Sequence, residues 1–229
     1  MKTLLDTDEI VFNQPELGCA LCLTGLPGGN SRLHDISPYG NTGEITGATW
    51  VKTPGGLWCL SFDGIDDCVD CGNDESLNIT GSIALELWIK TSTGGSKRVL
   101  SKMDAAGTKW AYDLQVDYFT VSANGTNTCE RFVGTSPADS VWHHLVAVFV
   151  PSRSLDIYVD GKLCNGSLTG SIPASLQSND AICYLGRRTG GDYFTGCLAL
   201  PCIYNRALTA LEIRNHFNRG KHMFGVWER

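Results

Sequence analysis

No run of eighteen or more apolar residues occurs in the 229-residue chain, so no segment reads as a membrane-crossing helix. Charge is scarce and not positive. Asp, Glu, Lys and Arg make up 18% of the residues and the formal net charge is −6. That removes the electrostatic ground for binding nucleic acid or an acidic lipid surface. Asp6, Asp8 and Glu9 interrupt the N-terminus before an apolar core can form, so no secretory signal is read there. The signatures Gly-x-Ser-x-Gly, His-Glu-x-x-His and the phosphate loop are all missing, which excludes the commonest local catalytic motifs.

Cysteine and glycine are plentiful instead. Twenty-six glycines suit a fold of many tight turns. Ten cysteines, an even number, point to disulfides and an oxidising destination. Without a readable signal, three explanations stand: a leader removed from the N-terminus, release by lysis as for virion parts, or buried thiols in a reducing cytoplasm.

The apolar residues fall into short strands. Residues 17–24, 57–62 and 66–71 are brief apolar runs ended by turn residues. In 82–91, Ile83, Leu85, Leu87 and Ile89 alternate with Ala84, Glu86, Trp88 and Lys90, the period of a half-buried strand. Residues 97–103 and 110–122 continue the pattern, and 181–186 and 195–204 supply two more strands. Residues 141–150 are apolar in both phases, which predicts a central strand. Asp160-Gly161 between alternating segments predicts a hairpin with a type I′ turn. Residues 34–49 read as turns. The single helix signal is Thr209 with Glu212 three residues on, a capping box, running to about Asn218 with Gly220 as the stop. Many strands and one late helix predict a single all-β sandwich over 1–229, with its core at about 17–218. The arms outside that core, 1–16 and Lys221–Arg229, are read as attachment segments or as chain packed on the sandwich.

Six segments in order resemble the laminin-G-like jelly-roll family of the concanavalin-A-like lectin/glucanase superfamily. They are Asp35 to Gly43, Leu60-Ser-Phe-Asp63-Gly-Ile-Asp66-Asp67, Leu85-Glu-Leu-Trp88-Ile-Lys, Trp142-His-His-Leu-Val-Ala147, Ile157-Tyr-Val-Asp160-Gly-Lys and Ile203 to Ile213. The resemblance implies a two-sheet antiparallel jelly-roll sandwich, one sheet concave, with one short C-terminal helix. It does not imply one function, because such a fold hosts lectins, adhesion modules, enzymes and structural proteins. Trp58, Trp88, Trp142 and Tyr158 are read as core or sheet-face aromatics, and His143 or His144 as a structural histidine.

Members of the family often hold calcium near a sheet edge. The residues that would supply oxygens here are Asp35, Asn41 and Asp63. Similar sequences begin the last strand Gly-x-Ile-Asp-Asp, whereas Gly196 is followed here by Cys197, Leu198, Ala199 and Leu200, which removes an expected ligand. Cys19-x-x-Cys22 and Cys68-x-x-Cys71 suggest zinc, but positions i and i+3 of a strand face opposite ways, which argues against it. If the first and last strands pair, as the resemblance implies, Cys19 or Cys22 meets Cys197 or Cys202. The carboxylate-rich strand of the superfamily's glucanases is missing, and Glu86 stands alone among apolar neighbours.

These readings leave three functions. The leading expectation is a non-catalytic structural or decoration module on a virion or other extracellular assembly, self-associating or attached to a larger particle, with a cytoplasmic location as the alternative. The second is a carbohydrate-binding module using exposed aromatics such as Trp110, Tyr118 or Tyr193 on the concave face or in edge loops. The third is a glycan-cleaving enzyme with a site assembled from distant loops.

Overall fold

The computed structural model describes residues 16–27, 31–104 and 106–227. Nearly all of the N-terminal arm therefore lies outside the described residues. Seventeen strands run in chain order: β1 (Cys19–Thr24), β2 (Arg32–Asp35), β3 (Gly43–Thr46), β4 (Thr49–Lys52), β5 (Trp58–Asp63), β6 (Cys68–Asp70), β7 (Ile83–Lys90), β8 (Arg98–Lys102), β9 (Trp110–Gln115), β10 (Tyr118–Gly125), β11 (Thr128–Val133), β12 (Trp142–Val150), β13 (Ser154–Val159), β14 (Lys162–Leu163), β15 (Asn165–Thr169), β16 (Cys183–Leu185) and β17 (Thr195–Tyr204). Among the described residues one α-helix, α1 (Ala210–Gly220), follows, then a 3-10 turn at Lys221–Phe224.

Every strand pairing among the described residues is antiparallel. One array runs β4-β5-β17-β7-β12-β13-β14. The other runs β2-β3-β6-β16-β8-β9-β10-β11-β15. Strand β1 pairs β17 of the first array and β2 of the second, so the strands form one continuous, barrel-like sandwich. The turn-rich stretch 34–49 is corrected here. Its residues build the ends of β2 and β4 and all of β3, strands of four residues that turn signals mask in the sequence.

The main core lies between the arrays. Ile83, Leu85, Leu87 and Ile89 of β7 meet Leu145, Ala147 and Phe149 of β12 and Leu100, Leu114 and Phe119 from the opposite layer. Strand β12 sits between β7 and β13, the central place its two apolar phases predicted. The other phase of β7 is also buried, contrary to the half-buried expectation. Ala84, Glu86 and Trp88 are covered from outside by α1 and the segment after it. Alternation in a sequence reports one buried face; a helix laid on the other face leaves no periodic mark on the strand.

The Asp160-Gly161 turn has the two positive φ angles of a type I′ turn, 51° and 72°. The capping box at Thr209 is formed: its hydroxyl accepts from the Glu212 backbone N–H, and its own N–H donates to the Glu212 carboxylate. Gly220 is the last residue of α1, as expected, but it is not a left-handed stop. It keeps helical φ, and the left-handed residue is Gly225. Gly220 serves close approach instead, because a Cβ there would lie 2.6 Å from the Trp88 indole.

Candidate functional site

A groove of about 950 Å³ opens on the outer side of the first array. Its floor is aromatic. Phe224 stacks on Trp88 with ring centroids 4.1 Å apart and leans on Trp142 at 4.9 Å. Trp227, 70% exposed, stands at the edge. The walls come from segments that the sequence keeps far apart: Pro54, the end of β7, the start of β12, the β13–β14 turn, and α1 with the tail beyond it. The type I′ turn lets them meet, since Gly161 sits against Phe217 and Arg214 of the helix.

The groove is cationic within an anionic chain. Lys90, Lys162 and Arg214 line it and make no ion pair with a described residue. His143 lies between two carboxylates, with Nδ1 2.8 Å from Asp160 and Nε2 3.0 Å from Asp139. The Asp160 bond, together with Asp139 and against the pull of burial, raises its pKa and favours the imidazolium. Asp160 is the one carboxylate among the described lining residues. Both its oxygens are engaged, the second by the His144 backbone N–H at 3.0 Å. Hydrolysis of a glycosidic bond ordinarily needs two carboxylates flanking it.

Behind the groove, α1 is pinned by a buried ionic chain. Glu86 accepts from His144 Nε2 at 2.7 Å and from His216 Nδ1 at 2.9 Å, and His216 Nε2 is 3.0 Å from Glu16. Burial pushes the His216 pKa down, but hydrogen bonds and charge from Glu16 and Glu86 outweigh it and raise it to about 10. Glu86 is opposed by burial yet held well below the usual carboxylate range by His144 and His216. Glu86, isolated in the sequence, thus meets partners from 58 and 130 residues away.

Beside this chain, Cys19, Cys22 and Cys202 line a cavity of about 80 Å³ with Glu16, Glu86 and His216. The facing of the first cysteine pair is a correction. A register shift between Cys19 and Leu21 brings both Cys19 and Cys22 into the outer cluster with Cys202. The opposite-face argument does apply to the second pair, where Cys71 enters the main core and Cys68 does not.

The expected calcium residues fall into two places. Both Asp35 oxygens are taken up by its own turn: they accept from the backbone N–H groups of Cys22, Ser37 and Asn41 and from the Ser37 hydroxyl. Asn41 donates to the Ala20 carbonyl. Asp63 instead groups with Asp66 and Asp67, their ligand atoms within 4.8 Å of one another. These are hard oxygen donors of the kind calcium takes.

The aromatics expected to be exposed, Trp110 of β9, Tyr118 of β10 and Tyr193 in the loop before β17, are instead half-buried and do not line the groove. Tyr118 donates to Ser96 and packs on Phe132, Tyr193 accepts from Arg187, and Trp110 Nε1 is buried without a partner. A polar row crosses the second array through Asp70, Tyr184, Ser101, Asp113, Thr120 and Glu130. Its centre is closed. Asp113 is 1% exposed, 3.1 Å from Arg98, and burial outweighs that ion pair to push its pKa up to about 7. The sequence did contain one signal for the groove: the late apolar trio Met223, Phe224 and Trp227. What it could not show is that Phe224 turns inward and Trp227 outward.

Residues 63–214 match the family described as the Concanavalin A-like lectin/glucanases superfamily. No curated protein sequence matches the chain. Among solved structures, the binding domain of Paraclostridial Mosquitocidal Protein 1 aligns with a TM-score of 0.69 at 15% identity, over 88% of this chain and 52% of that one. The binding domain of Botulinum Neurotoxin DC in complex with SialylT aligns at 0.65 and 14% identity, over 90% and 52%. The same toxin's binding domain in complex with rat synaptotagmin II aligns at 0.64 and 14%, over 88% and 51%. The chain therefore spans about half the length of these structures, and at such identities the likeness is one of fold.

Proposed function

The chain belongs to the concanavalin A-like lectin/glucanases superfamily, and we propose that it is a non-catalytic recognition module whose groove binds an acidic glycan. The observation that carries this is the union of an exposed indole, Trp227, with three cations that make no ion pair among the described residues, Lys90, Lys162 and Arg214. An aromatic face takes the apolar side of a sugar ring, and cations take carboxylate or sulfate. The groove's volume is in the range of small-ligand sites. The fold neighbours are binding domains, one of them solved with SialylT, which supports recognition over catalysis.

The proposal also takes the chain as one module, with its two strand arrays as the sheets of a jelly roll, acting outside a cell. It adopts carbohydrate binding ahead of the particle-surface role expected from the sequence. That role has no structural observation in its favour. The test is a glycan array with sialylated, uronic-acid, sulfated and neutral glycans, read with the full chain. Acidic glycans should bind, and Trp227→Ala should weaken them about tenfold. Binding of neutral glycans alone, indifference to Trp227→Ala, or release of cleaved sugar would each defeat the reading.

A further inference from the structure

The ten cysteines are free thiols in this structure. Six of them nevertheless meet in pairs across neighbouring strands. Cys22 and Cys202 are direct cross-strand partners of β1 and β17, with sulfurs 2.8 Å apart, although 180 residues separate them in sequence. The Cys22 backbone turns away from β17: its N–H donates to Asp35 and its carbonyl accepts from Ile36. This is therefore a non-hydrogen-bonded position, where facing side chains come closest. Cys59 of β5 and Cys197 of β17 lie diagonally, since Cys197 opposes Ser61, and their thiols interact within the outer cluster. Cys71 and Cys183 sit together in the main core, where the Cys71 N–H donates to the Cys183 carbonyl at 2.9 Å and the Cys183 N–H returns to Gly72.

We propose that the mature chain carries three disulfides, Cys22–Cys202, Cys59–Cys197 and Cys71–Cys183, and works in an oxidising compartment. Two of the bonds tie β17 to the strands beside its two halves, β1 and β5. The third ties β16 to the chain just after β6 in the other array. The bond expected between the first and last strands is thereby assigned to Cys22 and Cys202, and Cys197 is assigned to Cys59. Cys19 contacts Cys22, but a bond between them would close a loop of a few residues and constrain the unfolded chain far less than one across the fold. Each bond forms by exchange with a low-molecular-weight disulfide such as glutathione disulfide. Two protein thiols give up two electrons and two protons, the small disulfide is reduced, and two small thiols leave.

The inference is independent of the glycan reading. The test starts with the reduced full chain, equilibrated with glutathione disulfide. Remaining thiols are capped with iodoacetamide after acid quenching, in denaturant so that the buried ones react, and the unreduced digest is mapped by mass spectrometry. Three cross-linked peptide pairs are expected, with Cys19, Cys68, Cys129 and Cys164 capped. Oxidation should also raise Tm by about 5 °C or more. In Cys202→Ser the other two bonds should still form and part of that rise should vanish. Ten capped thiols, a Cys19–Cys22 bond, or a mixture of pairings would overturn the proposal.

Discussion

Replacing His216 by Ala tests whether the buried ionic chain holds α1 in place. The substitution removes one of the two imidazoles that satisfy Glu86 and leaves a carboxylate, 8% exposed, with His144 alone. Breaking a buried pair by deleting one partner costs about 3–5 kcal/mol. The pKa route agrees: a rise of the His216 pKa from 6.5 to about 10 corresponds to roughly 4–5 kcal/mol. The two figures describe the same interaction and do not add. The sign follows from the raised pKa. The contribution is complete below the unfolded value near 6.5 and is lost as pH rises through about 10. Urea denaturation of both proteins at pH 6, 8 and 10.5 is the assay. The stability gap should be widest at pH 6 and mostly closed at pH 10.5. A loss under about 1 kcal/mol at pH 6, or a gap that ignores pH, would refute the reasoning. Combining the change with Glu86→Gln in a double-mutant cycle should show strong coupling, since both act on one contact.

Three further outcomes follow from the same geometry. Gly220→Ala places a Cβ against the Trp88 indole and should cost about 1–3 kcal/mol, with a change in near-ultraviolet circular dichroism from the displaced ring. Thr209→Ala removes the capping box and should cost about 0.5–2 kcal/mol by urea denaturation, while Thr209→Ser should cost much less. Asp113 has a raised pKa, so its stabilising, protonated state is present below about 4 and is lost as pH rises through about 7. Asp113→Asn should therefore be more stable than the wild type at pH 8 and lose that advantage by pH 4; equal profiles would show that the Arg98 ion pair already compensates the buried charge.

The sequence by itself determined the strands with clear alternation, the Asp160-Gly161 hairpin and the capped helix, because each is written in local periodicity or turn chemistry, and six segments in order carried the resemblance to the family. Glu86 marks the limit of that reading. Its neighbours in sequence are apolar, and only antiparallel pairing with β12 and the docking of α1 supply His144 and His216. The facing of Cys19 depended likewise on a register shift, which one residue of offset creates and which periodicity cannot report. The groove was least legible of all. Its lysines, arginine and tryptophan lie in segments joined only by the turn at Gly161 and the helix path past Trp88. Such a site is set by which outer face the helix covers and where its tail leaves that face, and those are long-range packing choices without a local signature.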